Sequence, residues 1–200
     1  MMNINKLSGF HVISRLAAAA GLAFAMATPA QAAPCTPLLN RSVARLQDEK
    51  PQDLCQYAGQ VVVVVNTASF CGFTPQYKAL EALHERYRSR GLVVLGFPSN
   101  DFSQEPGTNK DVAEFCENTF GVKFPMFVKS HVTAAAGADL NPLFADLSRR
   151  TGSAPKWNFH KYLIARDGNA VLSRASDVDP QSRAFVQDIE KLLDAAPKTE

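Results

Sequence analysis

Residues 61 to 77, VVVVVNTASFCGFTPQY, carry strong local signals in this chain of 200 residues. The five consecutive valines predict a strand that is covered on both faces, as in a sheet sandwiched between helices. Thr74-Pro75 predicts the start of a helix, with threonine as the N-cap and proline in the first turn. The stretch therefore predicts a buried strand, a short loop that carries Cys71, and a helix.

The residues after this stretch complete a β-α-β unit. Apolar side chains recur at helical spacing until Gly91, a typical helix end, and LVVLGF at residues 92 to 97 predicts a second strand. A helical crossover of this kind joins parallel strands. The later signals are helices at 109–120 and 142–149, strands at 157–165 and 170–173 joined by Asp167-Gly168, and a final helix opened by Asp179-Pro180. This order predicts an α/β chain with a thioredoxin-like fold, a central mixed β-sheet flanked by helices.

The first 32 residues have the layout of a secretory signal peptide. They carry Lys6 and Arg15 and no acidic residue, then the apolar segment LAAAAGLAFAMA and the small-residue site Ala30-Gln31-Ala32. The apolar segment is shorter than the roughly 20 residues that span a bilayer, and so is every later one. We therefore expect export to the periplasm or the medium, without stable membrane insertion. Residues 33 to 59 would form an N-terminal arm and residues 60 to 196 the domain.

Charge argues against nucleic acid as a partner. The chain has 21 basic residues, which include Lys6 and Arg15, so 19 remain after removal of the signal peptide, against 19 acidic residues. A nearly neutral domain without a basic patch has no electrostatic footprint for a polyanion.

All four cysteines, Cys35, Cys55, Cys71 and Cys116, follow the predicted signal peptide. Export implies a compartment in which disulfides persist, but four cysteines allow three complete pairings. Cys35 and Cys55 lie close together in the arm, and we expect a structural disulfide between them. The alternative is a pair of free thiols.

Cys71 is the candidate reactive residue. It lies where sites gather in α/β sheets, beyond the carboxyl end of a strand and just before a helix, whose free N–H groups and partial positive charge favour a thiolate. The local pattern is C-x-x-T, so no redox pair closes within the turn. Oxidation of a lone thiolate by peroxide to a sulfenic acid, followed by condensation with a second thiol, fits this pattern. The alternative is a buried structural cysteine.

Four motifs in order, NTASFCGFTPQY, GFPSNDFSQEPGTN, EFCENTFGVKFPMF and PKWNFHKYLI, resemble the glutathione peroxidase family. The resemblance runs from about Val61 to the last helix. It implies a thioredoxin-like fold and a thiol-dependent peroxidase that reduces hydrogen peroxide or organic hydroperoxides. It also implies no cofactor, with glutathione or a thioredoxin-like dithiol as co-substrate.

The resemblance assigns roles to four residues. Cys71 is the peroxidatic cysteine, Trp157 and Asn158 donate hydrogen bonds to its sulfur, and Cys116 is the resolving cysteine. Taken alone, Trp157 is an ordinary core or rim anchor, Asn158 a turn former, and Cys116 a small apolar residue on a buried helix face. The short linker SRRTGSAP before Trp157, together with Cys116, resembles the monomeric, thioredoxin-dependent branch of the family rather than its tetrameric members.

Asp101 departs from the family pattern, which has glutamine at this catalytic position. The loop up to Gln104 is also one residue shorter than usual. A carboxylate beside a thiolate disfavours the ionised sulfur. Asp101 therefore points away, which we favour, or is held protonated, or Gln104 supplies the amide. On this basis Asp101→Gln is expected to favour the thiolate and to speed peroxide reduction.

Three other functions remain as alternatives. A thiol-disulfide reductase or redox sensor of thioredoxin fold would react with disulfides faster than with peroxides. A copper chaperone needs two cysteines and a histidine in the first loop, where residues 67 to 77 offer only Cys71. A cysteine hydrolase would use His160 as its base but lacks a third orienting group. The aromatic residues near Cys71 (Phe70, Phe73 and Phe102) hint only weakly at apolar peroxides, and neither the peroxide nor the reductant is fixed by the sequence.

Overall fold

The valine run forms one of the two inner strands of a four-stranded sheet. The computed structural model describes residues 33 to 195, apart from the side chains of residues 136 and 138, so the predicted signal peptide lies outside the described residues. The strands are β3 (Val61–Thr67), β4 (Leu92–Pro98), β5 (Lys161–Ile164) and β6 (Val171–Arg174). Their spatial order is β4-β3-β5-β6, with β3 parallel to β4 and with β5 antiparallel to both of its neighbours.

The helices cover both faces of this sheet. They are α1 (Gln76–Tyr87), α2 (Asn109–Phe120), α3 (Pro142–Thr151) and α4 (Arg183–Asp194), with short 3-10 segments at Leu54–Tyr57, Arg88–Arg90 and Ala134–Asp139. Odd-numbered residues of the valine run enter a core shared with α1, α2 and α4. Even-numbered ones enter a second core shared with α3 and the arm. All five valines are fully buried, as the unbroken apolar run predicts. The predicted thioredoxin-like α/β fold is confirmed.

Two helices begin later than predicted, because the residues expected to cap them do not do so. Helix α1 begins at Gln76 rather than at Thr74-Pro75, because the Thr74 side chain bonds within the preceding loop. Helix α4 begins at Arg183 and is capped by Ser182, not by Asp179. The strand predicted at 157–165 is confined to β5, since residues 157 to 160 form a turn.

The N-terminal arm contributes to the core. Strands β1 (Ser42–Ala44) and β2 (Pro51–Asp53) form a small antiparallel hairpin. Leu38, Leu39 and Leu54 are buried against the α3 face of the sheet. The expected Cys35–Cys55 disulfide is present and joins the start of the arm to the 3-10 segment after β2. Within residues 33 to 195, no helix combines the length and apolarity that crossing a bilayer requires.

The disulfide is expected to stabilise the fold chiefly by restricting the unfolded chain. It closes a loop with a sequence separation of 20 residues, for which the chain-entropy estimate is about 3 kcal/mol. The double variant Cys35→Ser/Cys55→Ser should therefore unfold at a lower urea concentration, with a loss of about 3 kcal/mol. Dithiothreitol should lower the wild type to the level of the variant and leave the variant unchanged. Equal unfolding midpoints without reductant would contradict this expectation.

Candidate active site

Cys71 lies in a tight loop between β3 and α1. Its side chain is 8% exposed and forms no disulfide in this structure. The backbone N–H of Phe73 donates to Cys71 Sγ at 3.4 Å. That amide belongs to the turn before α1, which begins five residues after Cys71. The hydrogen bond to the sulfur is therefore supplied by the loop itself and not by the first turn of the helix.

Thr74 fixes this loop from inside. Its hydroxyl accepts from the backbone N–H of Cys71 at 3.0 Å and donates to the carbonyl of Ala68 at 2.9 Å. Both bonds are buried, and they connect the Thr74 hydroxyl to Cys71 itself and to Ala68 before it. The threonine that the sequence predicts as a helix cap instead sets the backbone conformation at Cys71.

Asn66 attaches the Trp157–His160 turn to the end of β3. Its Nδ2 donates to the Trp157 carbonyl at 3.1 Å, and its Oδ1 accepts from the His160 N–H at 3.1 Å. The Asn66 carbonyl accepts from the Phe159 N–H at 2.6 Å. Phe159 has a left-handed backbone, with φ of 62°, which is unfavourable for a bulky residue and persists only where its surroundings enforce it. This constraint places Asn158 and Trp157 at the same sheet edge as Cys71.

Asn158 is fully buried and meets the loop after β4. Its Nδ2 donates to Gln104 Oε1 at 2.9 Å, while its Oδ1 has no hydrogen-bond partner among the described residues. The Gln104 carbonyl accepts from the Phe70 N–H at 3.1 Å, next to the cysteine. Gln104 thus joins Asn158 to the Cys71 loop.

Trp157 is 40% exposed and stands at the rim of a cleft of about 550 Å³, which Phe73 and His160 also line. Its ring packs against Phe102, with the ring centroids 5.4 Å apart. The structure records no hydrogen bond from Trp157 or Asn158 to Cys71 Sγ, so their predicted role as donors remains a prediction.

Asp101 points away from the cysteine. Its carboxylate accepts from His131 Nδ1 at 2.6 Å, from the Val132 N–H at 2.7 Å, and from the N–H and hydroxyl of Thr133 at 2.9 and 3.0 Å. Burial alone would raise the pKa of Asp101, but these hydrogen bonds outweigh it and hold the pKa below its usual value. Of the three alternatives, this geometry matches the first, in which Asp101 points away.

Glu105 also fixes the Cys71 loop, through hydrogen bonds with Ser69, and no motif in the sequence points to this residue. Its carboxylate is buried and accepts from both the N–H and the hydroxyl of Ser69, at 2.7 and 2.9 Å. Burial raises the pKa of Glu105, against the opposing effect of these hydrogen bonds. No local pattern distinguishes this glutamate, because its partner is 36 residues away in sequence.

Cys116 lies on the buried face of α2, as periodicity predicts. It is 3% exposed and is also a free thiol. Burial raises its pKa to about 11. In this conformation Cys116 is therefore protonated at neutral pH and shielded from solvent.

His160 faces the same cleft as Trp157 but lacks the surroundings of a general base. It is buried, and burial lowers its pKa to about 4. Its Nε2 lies 2.8 Å from Ser173 Oγ, and no carboxylate of the described residues hydrogen-bonds to it. The hydrolase alternative gains no support from this arrangement. Within residues 33 to 195, no cluster of three histidine, cysteine, aspartate or glutamate side chains has the geometry to hold a metal ion.

Lys161 on β5 is fully buried, and no local sequence signal predicts this position for a lysine. Its Nζ donates to the carbonyls of Ser176 and Val178 at 3.0 and 2.7 Å. Gln76 Nε2 donates to the same Ser176 carbonyl at 2.9 Å. Burial lowers the pKa of Lys161 to about 7, although Asp177 and Asp179 act in the opposite direction. Lys161 thus holds the segment that forms one wall of the cleft beside Trp157.

Comparison with known proteins identifies relatives over most of the described chain. A family model described as glutathione peroxidase matches residues 39–148. A glutathione peroxidase homolog of Halalkalibacterium halodurans is 45% identical over 155 residues, which cover 75% of this chain and 96% of that protein. A hydroperoxy fatty acid reductase of Synechocystis sp. is 44% identical over 161 residues, covering 75% and 92%. The crystal structure of Trgpx in its apo form is similar with a TM-score of 0.63 and 34% identity, covering 81% of this chain and 98% of that one.

The hydrogen bonds to Asp101 change the effect that we expect from Asp101→Gln, from faster peroxide reduction to a loss of stability. The longer, neutral side chain cannot reproduce the contacts to residues 131 to 133, and hydrogen bonds to a charged group contribute about 1.5–3 kcal/mol each. We expect a loss of about 2 kcal/mol in urea unfolding and no gain in the rate of peroxide reduction. Asp101→Asn, which keeps the length, should lose less. A faster enzyme of unchanged stability would contradict the role that the structure gives to Asp101.

Lys161 makes stability depend on pH. Its pKa is about 7 in the folded protein against 10.5 for an ordinary lysine, so between these values the unfolded chain binds more protons and stability rises with pH. The slope from this group is at most about 1.4 kcal/mol per pH unit. The wild type should therefore gain stability relative to Lys161→Met between pH 7 and pH 9, measured by urea unfolding. Parallel curves for the two proteins would show that Lys161 does not titrate in this range.

Proposed function

The chain belongs to the glutathione peroxidase family, and from this premise we propose that it is a thiol-dependent peroxidase whose reacting atom is Cys71 Sγ. The observation that carries the proposal is the position of Cys71. Its sulfur lies at the carboxyl end of β3, receives the Phe73 N–H, and is held in a loop that Thr74 and Gln104 brace. An N–H directed at a sulfur favours its ionised form.

The first step is attack of the Cys71 thiolate on the outer peroxide oxygen. The O–O bond breaks, a sulfenic acid forms on Cys71, and the departing alkoxide or hydroxide takes up a proton to leave as alcohol or water. An N–H or amide donor near the sulfur stabilises the charge that is redistributed in this step. Trp157 and Asn158 are the side chains that we propose for this role, because Asn66 holds both beside the loop.

The second step is condensation of the sulfenic acid with the thiol of Cys116, which forms a disulfide and releases water. An external thiol or dithiol then reduces the disulfide by exchange. Because the electrons come from thiols, the reaction needs no prosthetic group. Cys116 has to leave the core for this step, and it lies near the end of α2, where Gly121 takes the left-handed conformation that stops the helix. Local unwinding of this terminal turn would release it.

The surroundings of Cys71 support acceptance of apolar peroxides as well as hydrogen peroxide. Among the described residues, the exposed large hydrophobic side chains are Phe70, at 69%, and Trp157, at 40%, and both adjoin the site. One of the relatives bears the name hydroperoxy fatty acid reductase. We therefore include organic hydroperoxides among the proposed substrates.

The reductant, the cellular location and the assembly are further parts of the proposal. The pairing of Cys71 with Cys116 favours a thioredoxin-like dithiol over glutathione, because a protein disulfide is reduced by dithiol exchange. The layout of residues 1 to 32 favours export to the periplasm or the medium, and the short linker before Trp157 favours a monomer. N-terminal sequencing of the exported protein and its molar mass in solution test the last two points.

Trapping of the sulfenic acid tests the proposal directly. After one equivalent of hydrogen peroxide, the wild type should be labelled transiently by a sulfenic-acid reagent. Cys71→Ser should abolish labelling and lower peroxide turnover about 1000-fold or more. Cys116→Ser should prolong labelling, because the acid is no longer resolved.

The matched control is Cys35→Ser/Cys55→Ser, which removes the structural disulfide and should keep the labelling. Labelling that persists in Cys71→Ser would overturn the assignment of the reacting atom. Oxidation of Cys71 by protein disulfides faster than by peroxides would favour the thiol-disulfide reductase or redox sensor instead.

A further inference from the structure

Glu105 lies between the two elements that carry Cys71 and Cys116. It is 1% exposed, and its Oε2 accepts from the N–H and the hydroxyl of Ser69, two residues before Cys71. Its own N–H donates to Asn100 Oδ1 at 2.8 Å. Glu105 is therefore fixed to the Cys71 loop through its side chain and to the loop after β4 through its backbone.

The charge of Glu105 also acts on the core around Cys116. Its negative charge raises the pKa of both the Cys116 thiol and the Tyr77 hydroxyl, beyond the larger effect of burial on each. The Tyr77 hydroxyl and Thr67 Oγ1 are buried in the same region, and Tyr77 interacts with both Thr67 and Cys116.

A cleft of about 460 Å³ separates the loop that carries Cys71 from α2. Ser69, Phe70 and Glu105 line one side, and Val112 and Phe115 line the other. Phe115 directly precedes Cys116 in α2. The cleft therefore lies between the loop that carries Cys71 and the helix that carries Cys116, and Glu105 is on its wall.

Resolution needs a proton acceptor. The thiolate is the attacking species, and the Cys116 thiol is protonated in the resting protein because burial raises its pKa. Asp111 lines the same cleft, but its carboxylate caps α2 through Thr108 and has a lowered pKa. The Lys129 ammonium is a donor and is bound to the carbonyls of Glu105 and Gly107. Glu105 is the remaining base in contact with the cleft.

We propose that Glu105 accepts the proton of the Cys116 thiol as its sulfur attacks the sulfenic acid of Cys71. The new bond joins the two sulfurs, the S–O bond of Cys71 breaks, and the departing hydroxide takes the proton back from Glu105 and leaves as water. The sum is a sulfenic acid and a thiol converted to a disulfide and water, and Glu105 ends the step ionised as it began. This inference rests on the proposed peroxidase function and adds a residue to its second step.

The charges around Glu105 suit a proton acceptor. Burial raises its pKa, which makes it a stronger base than an exposed carboxylate, while the Ser69 hydrogen bonds and the Lys129 charge act in the opposite direction. Transfer of the proton from Cys116 to Glu105 moves the single negative charge from the carboxylate to the sulfur, so two adjacent anions are never formed. The two groups would therefore titrate as a coupled pair rather than independently.

The test measures both chemical steps separately in Glu105→Gln. Glutamine keeps an oxygen that can accept from Ser69, so the loop retains its support while the base is lost. In a quenched-flow experiment with one equivalent of hydrogen peroxide, mass spectrometry counts the Cys71 sulfenic acid and the Cys71–Cys116 disulfide. We expect disulfide formation at pH 7 to slow about 100-fold, as for loss of a general base, and oxidation of Cys71 to change less than threefold.

Two further variants complete the experiment. Glu105→Asp keeps a carboxyl group and should recover part of the rate of disulfide formation together with its dependence on pH, which Glu105→Gln should lose. Glu117→Gln removes an exposed carboxylate next to Cys116 in sequence and should behave as the wild type.

Unchanged disulfide formation in Glu105→Gln would overturn the inference, and so would an equal slowing of both steps, which would show that Glu105 only supports the loop. A wild type in which peroxide never oxidises Cys71 would instead refute the peroxidase function itself.

Discussion

The side chain of Asn66 connects the two halves of the site. It ends the valine strand and is fully buried, and a buried amide is costly unless both its ends are hydrogen-bonded. Both ends bind the turn before β5, so the requirement of one side chain decides where Trp157 and Asn158 lie. Because β5 is the antiparallel neighbour of β3, residues nearly 100 positions apart meet at one edge of the sheet. The unfavourable backbone of Phe159 is tolerated there because these bonds enforce it.

The two free cysteines occupy environments that suit different tasks. Cys71 follows a strand, adjoins two clefts through Phe70 and Phe73, and receives a backbone N–H. Cys116 is enclosed by apolar side chains and is protonated. Both thiols are buried in the resting protein, Cys71 at 8% and Cys116 at 3% exposed, and the burial of Cys116 protects the thiol that reacts second from oxidants until it is needed. The fold thereby separates the two steps in space.

Much of the fold follows from local sequence, while parts of the site do not. The bounds of α2, at residues 109 to 120, and the parallel β3–β4 pair follow from periodicity and turn residues, because these signals lie within a few positions of one another. The sequence carries no local signal for the roles of Glu105 and Lys161, and it leaves three alternatives open for Asp101. In each case the hydrogen-bond partners are distant in sequence. Ser69 is 36 residues from Glu105, and Val132 is 31 residues from Asp101. The role of Thr74 could not be predicted either, although its partners are close in sequence. A threonine hydroxyl can cap a helix or hydrogen-bond within a loop, and the folded backbone decides which of the two bonds forms.

Trp157 is the single tryptophan of the chain and stands partly exposed beside the Cys71 loop. Indole emission depends on solvent contact and on neighbouring sulfur and aromatic groups, and no second indole adds a background signal. Each redox state of the site should therefore have its own intrinsic fluorescence, so the protein carries an optical reporter at its working surface without any attached dye.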